Sequence, residues 1–522
     1  MQSSVRDDDS SGQSSSKWLR DLVNVCNIAL PTAIGNGLEY LPVLIGIGMV
    51  GHSETAQADL EALGLARTFF NIVAAAPGFG LISALRTLCP QAVGAGQPRL
   101  CALYLQRALL LVVAWGLVVV VCALYTDKIL ILVGQPVLAS QAARPYVLRM
   151  IPTYFGVVGM SAIQRVYQAH NANYANLLIV VCVFGTAPAL QWLFIKHLNW
   201  GVLGAAWASS CYNNVYFMLQ VPHLIYVGRG YLFVPRAASL SRRGMYEYCR
   251  LMVPGFLMCC IEWWVLEALV FLAGRLREPN VTIPSFVITG QVQSLGLMAW
   301  IGLAVAASSL VGQRIGAGDV EGAKRAAILT PLVGSALGAA VSTGVAFGAP
   351  HIAAAFAQDP AIDQLTARLL LLVACVMVLD ALSNAMGGVC SGLGLQRYAM
   401  LANVLGYYLL GIPTAACVAF VVLRGAADGV YGLWGGVAIA MFASALVQCV
   451  LIGRHDWRQS ADEARRRLAL DGAEATNTDD ALPGSDVPVL PSHEPPHIGV
   501  HAAPDHGLTN SERARKPLLE PA

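Results

Sequence analysis

Four acidic residues, Glu39, Glu262, Glu267 and Asp380, lie inside long apolar stretches of this 522-residue chain. An ionised carboxylate within a bilayer costs at least a few kcal/mol, so it is seldom idle there. In low dielectric a carboxyl group exchanges its proton closer to neutral pH than it does in water. Once ionised, the same group can pair with an organic cation. If proton and cation compete for one carboxylate, each displaces the other and exchange follows. If each also favours a different arrangement of the surrounding helices, the site opens to the two sides in turn. Glu262 and Glu267 are five residues apart, about 140° around a helix axis, so they cannot both point into one cavity. The expectation is that Glu262 turns inward with Asp380 close by, while Glu267 faces a second surface, the central cleft. Trp263 and Trp264 beside them offer a cation–π surface. Packing or interface anchoring is the alternative, favoured for Trp264. Glu39 has two readings: a carboxylate that tunes substrate binding or carries a second proton, or an acid paired with Asn36 or Asn71.

The elements that position these groups follow from composition. The chain is 56% hydrophobic and only 12% charged, with a mean hydropathy of +0.59. Soluble domains carry about 25% charged residues, so the class is an all-α, multi-pass membrane protein. Crossing the hydrocarbon core takes roughly 20 apolar residues. Twelve such stretches are read at 22–49, 63–85, 102–125, 146–169, 175–197, 201–227, 249–273, 284–311, 325–348, 367–391, 399–423 and 430–453. Twenty Lys and Arg residues, Arg86 and Arg165 among them, fall on the side of the termini and six on the other. That bias predicts that both termini are cytoplasmic. Arg107 and Arg149, near span ends, are expected to snorkel to the interface. Residues 1–20 are expected to be a disordered N-terminus without a signal-peptide pattern, 228–248 a cytoplasmic linker, and 454–522 a mostly disordered tail with a short basic amphipathic stretch near Ala461 to Leu470. The thirteen cysteines lie mostly in apolar runs and read as small buried hydrophobes. His52 and His170 are lone and read as loop or helix-end residues.

The two halves repeat. Residues 80–96, GLISALRTLCPQAVGAG, match residues 302–318, GLAVAASSLVGQRIGAG, at eight of 17 positions. Pro31 precedes Glu39 by eight residues, as Pro254 precedes Glu262; downstream, Pro188 matches Pro413, and Gly201-Val-Leu-Gly204 matches Gly429-Val-Tyr-Gly432. Each unit holds an even number of spans, so the units insert the same way up and are related by an axis along the membrane normal. This gives an N-lobe over 21–227 (spans 1–6) and a C-lobe over 249–453 (spans 7–12), with Glu39 as the repeat mate of Glu262.

Several segments resemble the MATE (multidrug and toxic compound extrusion) family in its eukaryotic form: Thr87–Ala95, Cys260-Ile-Glu-Trp-Trp264, Ala306–Gly318, and Leu379-Asp-Ala-Leu382 followed by Gly406-Tyr-Tyr-Leu-Leu-Gly-Ile-Pro413. The resemblance spans roughly residues 20 to 455. It implies two six-helix lobes around a central cavity and export of organic cations and xenobiotics in exchange for protons. Glu262 and Glu267 match span-seven acids of animal members, and Asp380 an acidic span-ten position. With Glu39 these form the expected proton-coupling and substrate-binding set, and Trp263, Gln291 and Tyr407 are expected to line the substrate cavity. The chain departs from the pattern at Gln291, where animal members carry an acid, at Leu266, where they carry an aromatic, at Gly46, and at Arg86 and Pro90.

Other chemistries lack their signatures. Gly46-Ile-Gly48-Met-Val-Gly51 fits a dinucleotide pattern but sits in an apolar span. No Gly-Lys dipeptide occurs, which excludes a Walker A loop, and neither GxSxG nor HExxH is present. No enzyme activity, metal site or organic cofactor is expected; the drive is a proton gradient, with sodium as a further candidate. Partners are small organic cations, protons and the lipid bilayer. A net charge of +2 without a basic run gives no nucleic-acid partner. The alternatives are a flippase for a lipid-linked headgroup, set second because few cationic residues are read inside the spans, and an uncoupled channel. The plasma membrane is the expected location, with a vacuolar or endosomal membrane as the alternative.

Overall fold

The computed structural model describes residues 4–51, 56–356 and 359–479. His52 and the tail beyond residue 479 lie outside them. Twelve long helices follow one another: α1 (Ser4–Gly51), α2 (Ala62–Gly94), α3 (Leu100–Leu124), α4 (Val137–Ala169), α5 (Asn173–His197), α6 (Gly201–Leu224), α7 (Arg242–Ala273), α8 (Pro279–Ala317), α9 (Val320–Phe356), α10 (Pro360–Leu393), α11 (Gln396–Val422) and α12 (Gly429–Arg454). A thirteenth, α13, runs from Trp457 to Asp479.

Eleven helices among the described residues are long and apolar enough to cross a membrane. The remaining one of the twelve, α6, is 24 residues long. Its hydropathy is lowered by Ser210, Tyr212, Asn213, Tyr216 and Gln220, all buried against neighbouring helices. A polar face hidden in protein is compatible with spanning.

Several helices outrun the spans read from sequence, because a helix continues into water where hydropathy no longer supports it. α7 starts at Arg242 rather than 249, capped by Ser241, whose hydroxyl accepts from the Gly244 amide at 3.4 Å. α10 starts after Asp359, which accepts from the Ala361 amide at 2.8 Å, and ends at Gly394, whose φ of +81° suits glycine. The expected disorder of the N-terminus is corrected, and the amphipathic stretch expected near Ala461 to Leu470 lies within a longer helix. Residues 4–20 are the first turns of α1, and residues 457–479 are helical. The helix order at the tail comes from docking: Ala461, Ala464, Leu468 and Ala475 form an apolar stripe buried against the bundle.

Each lobe has its own core, but α1 and α7 cross between them. Val25, Ile28 and Ala29 of α1 pack into the C-lobe core, and Tyr248 and Met252 of α7 into the N-lobe core. Asp21 of α1 pairs with Arg314 and Arg325 of the C-lobe, the latter at 3.2 Å. The lobes meet most closely at the end that carries α13, through the repeated motif itself. A Cβ on Gly94 would lie 1.9 Å from the Gln313 carbonyl oxygen, and one on Gly316 would lie 2.1 Å from that of Gln91. Gln91 donates to the Gly392 carbonyl and Gln313 to the Ala169 carbonyl, each at 2.9 Å. These paired contacts are what a two-fold relation between the lobes produces.

Candidate functional site

In the C-lobe, Glu262 of α7 and Asp380 of α10 sit close enough to feel each other's charge, with Tyr407 of α11 beside both. Asp380 is 4% exposed. Its Oδ2 accepts from Gln293 at 2.6 Å and its Oδ1 from Asn384 at 2.8 Å. Glu262 Oε1 accepts from Asn403 Nδ2 at 2.6 Å. Asn403 is oriented in turn: its Oδ1 accepts from Ser444 at 2.5 Å and Gln448 at 3.4 Å. Both carboxyl groups are thus held by neutral amides, and among the described residues neither forms an ion pair. Such partners tolerate a proton arriving or leaving. Helix irregularity helps: α11 opens into wide turns over Val404–Gly411 and Cys417–Val422 around Pro413, and such turns recur at functional positions.

The N-lobe holds a parallel arrangement. Glu39 of α1 accepts from Gln164 at 2.6 Å. The same amide of Gln164 lies 3.0 Å from the Tyr216 hydroxyl, which donates to Asn176 Oδ1 at 2.9 Å. Gln220 also donates to Asn176, at 2.9 Å. Pro31, Thr32, Asn36, Glu39 and Gln164 line a small polar pocket here. The partner of Glu39 is therefore Gln164; Asn36 donates instead to the Met298 carbonyl at 3.4 Å and Asn71 to Glu267 at 3.5 Å.

The remaining sequence candidates are dispersed. Glu267 accepts from Thr68 of α2 at 3.0 Å, so it joins the lobes rather than the acid pair, as its helical angle requires. Trp263 packs on Phe79 with ring centroids 5.7 Å apart, and Trp264 is 41% exposed. Gln291 accepts from Tyr40 at 2.5 Å. His170 ends α4 with Nδ1 2.9 Å from the Val166 carbonyl. All thirteen cysteines are free, some of them exposed on the helix surfaces.

Two readings of the arginines change. Arg107 does not snorkel: it is 0% exposed and ion-paired with Asp471 and Glu474 of α13, each at 3.2 Å. Arg67 and Arg86 of α2, and Arg149 and Arg165 of α4, all lie within spanning helices and are half-buried. The spans therefore hold more positive charge than the loop count allowed. Asn403, Ser444, Gln448, Gln293, Asn384 and Gln164 were not anticipated. The signal was available for part of this set: Gln220 and Gln448 stand in the same register as Gly201 and Gly429.

Two six-helix lobes, closed on each other at one end and each holding a half-buried, amide-bonded acid at the same place, define a membrane transporter built by duplication rather than an enzyme. The profile of the MatE family matches residues 31–193 and again 254–417, and the chain belongs to that family. It is 27% identical over 435 residues to Protein DETOXIFICATION 33 of Arabidopsis thaliana, covering 82% of this chain and 86% of that one. It is 27% identical over 455 residues to Multidrug and toxin extrusion protein 1 of Xenopus tropicalis, covering 85% and 76%. Its fold matches the crystal structure of the eukaryotic MATE transporter AtDTX14 with a TM-score of 0.79 and 27% identity, over 87% of this chain and 100% of that one. The protein is a multi-pass efflux transporter of the multidrug and xenobiotic type.

Proposed function

We propose that this transporter exports small organic cations in exchange for protons, with both termini in the cytoplasm and Glu262 and Asp380 as the exchange pair. The carrying observation is that two acids of the C-lobe are each held by neutral amides, Asn403 on Glu262 and Gln293 and Asn384 on Asp380, with no guanidinium in ion-pair range of either among the described residues. A proton entering from the acidic side removes one charge and one repulsion, while a cation restores balance by pairing with the ionised form. The carboxyl groups sit on α7 and α10, and α7 crosses to the N-lobe core. A charge change at Glu262 can therefore bias how the lobes meet. Glu39 in its own amide cage is assigned a second protonation site in the N-lobe. Glu267 belongs to the lobe boundary, and Tyr407 and Trp263 to the cavity wall. The plasma membrane remains the proposed location, and sodium the alternative coupling ion.

The test is exchange in proteoliposomes containing the full chain, with a fluorescent cation and an imposed pH gradient. Uptake should follow the gradient in sign and size and be abolished by a protonophore. Uptake driven equally by a sodium gradient at constant pH, or indifferent to both, removes the proposal.

A further inference from the structure

The last helix, α13, lies across the seam where the lobes close, and it is anchored to both. Its first half belongs to the C-lobe, whose core Ala461 and Ala464 enter. The Ser460 hydroxyl donates to the Leu393 carbonyl at the end of α10, at 3.2 Å. Arg465 packs over the end of α8, where a Cβ on Gly318 would lie 2.1 Å from its Nη2. The second half belongs to the N-lobe: Leu468 and Ala475 enter that core, and Asp471 accepts from Tyr104 at 2.8 Å and from Arg107 at 3.2 Å. Between the halves, Arg467 donates to Gln91 Oε1 at 3.2 Å. Gln91 is one of the two glutamines that clasp the lobes, since its Nε2 donates to the Gly392 carbonyl at 2.9 Å. The other, Gln313, reaches the Ala169 carbonyl at 2.9 Å and is steadied by Asn171 Oδ1 at 3.2 Å. The duplicated scaffold does not call for a crossing helix. The segment that follows α6 stays on its own lobe: Leu232 and Ala238 pack into the N-lobe core, and Gln106 donates to the Val234 carbonyl at 2.6 Å.

We propose that α13 is a strap on the transport cycle: it holds this end of the cleft shut, and its second half must lift from the N-lobe before the lobes can part there. The strap hinges on the C-lobe, because His455 and Asp456 alone separate it from α12 and its first half must travel with that lobe. The N-lobe half is the part that can leave. Its polar contacts, Asp471 and Glu474 on Arg107 and Arg467 on Gln91, are of a kind that water can replace. Opening at this end withdraws Gln91 from Gly392, and Arg467 keeps Gln91 in the clasp while the strap is down. The docking of α13 therefore sets how often this end opens. The proposal needs the lobes to part here during a turnover, and it holds whether protons or another ion drive the exchange.

The test locks each half of the strap in turn, in the full chain. A Cβ on Gly472 would lie 3.4 Å from Gln97 Oε1, in the loop after α2. Gln97→Cys/Gly472→Cys joined by a short bis-methanethiosulfonate therefore ties α13 to the N-lobe. Glu321 and Arg458 line one cavity beside the junction of α12 and α13. Glu321→Cys/Arg458→Cys joined in the same way ties α13 to the C-lobe. Each variant capped with the monofunctional methyl reagent is its own control, and linkage is confirmed by mass spectrometry. Uptake of a fluorescent cation into proteoliposomes should fall about tenfold or more with the N-lobe link and recover on reduction, while the C-lobe link leaves it near the capped control. A second readout needs no substrate. Maleimide labelling of the buried Cys89, next to Pro90 where α2 meets Gly312 of α8, should slow by a similar factor with the N-lobe link and stay unchanged with the C-lobe link. Uptake or labelling that ignores the N-lobe link overturns the strap. So does an effect confined to the C-lobe link, which would reverse the hinge. Failure of the Gln97→Cys/Gly472→Cys pair to join overturns the docking itself. If no form carries the cation while the N-lobe link still protects Cys89, the cation reading falls and the strap stands.

Discussion

Removing the acids of α13 that face Arg107 should release that helix from the bundle. Arg107 is 0% exposed; Nη1 meets Asp471 at 3.2 Å, Nη2 meets Glu474 at 3.2 Å, and Nη2 also donates to the Ala238 carbonyl at 3.2 Å. The Tyr104 hydroxyl donates to Asp471 Oδ2 at 2.8 Å. A single change leaves one acid and a carbonyl, so Asp471→Asn alone should cost about 1.5–3 kcal/mol, the scale of one charged hydrogen bond. Asp471→Asn/Glu474→Gln leaves a sealed guanidinium without counter-charge, for about 3–5 kcal/mol. Glu474, with a side chain 25% exposed, contributes the smaller part. That penalty is relieved if α13 lifts away and water reaches Arg107, so local release is expected before global unfolding. Hydrogen exchange over residues 457–479 in detergent reads this directly. The double variant should exchange there about a hundredfold faster or more, while α8 and α10 change little. Replacing the whole cluster with Arg107→Met, Asp471→Leu and Glu474→Met should restore most of the protection, since apolar residues of similar size dispense with the desolvation cost. Unchanged protection in Asp471→Asn/Glu474→Gln would refute the reasoning, as would failure of the apolar triple to recover any.

Further expectations concern the acids and the lobe contact. Glu262→Gln and Asp380→Asn should each reduce gradient-driven uptake at least tenfold while leaving the fold intact by circular dichroism; exchange that keeps its pH dependence in both removes the site assignment. Asn403→Leu should affect uptake almost as strongly, because it deprives Glu262 of its amide and strands Ser444 and Gln448; uptake within twofold of wild type, read in the same vesicles, counts against the cage. Gly316→Ala places a Cβ 2.1 Å from the Gln91 carbonyl oxygen, which is backbone and cannot yield. The lobes must part there, and maleimide labelling of the buried Cys89 should accelerate several-fold.

The duplication and most span positions were legible because hydropathy and repeated landmarks are one-dimensional signals. So was the separation of Glu267 from Glu262, since five residues turn a helix by about 140° and Glu267 meets Thr68 of α2 instead. What the sequence hid depended on packing. Arg107 at a span end reads as a snorkelling residue unless one knows that α13 covers it with Asp471 and Glu474. The stretch around Ala461 to Leu470 was visibly amphipathic, but only docking makes it part of the bundle: Leu468 and Ala475 join the N-lobe core, while Ala461 and Ala464 join that of the C-lobe. Arg86 and Arg165 read as charges on the side of the termini because hydropathy alone does not show that the helices carrying them run on past them, to Gly94 and Ala169. Gln164 was missed for want of any local pattern, as it acts only through its distance to Glu39.

The two polar networks are built alike and then differ, and the difference bears on the proposed exchange. Asn176 and Asn403 do the same work: each accepts, through its side-chain oxygen, from a hydroxyl and a glutamine of the last helix of its lobe, Tyr216 and Gln220 in one, Ser444 and Gln448 in the other. The duplicated scaffold thus supplies an oriented amide in both halves. Around it the halves have diverged. Asn403 reaches Glu262 directly, whereas Gln164 is interposed between Glu39 and Tyr216. Asp380 has no acidic counterpart: the register that pairs Ala169 with Gly392 puts Val157 there. On the proposed exchange reading, the C-lobe thus offers a cation two amide-held carboxyl groups where the N-lobe offers one. The duplication has kept the amide frame in both halves, while the second acid stands in one alone.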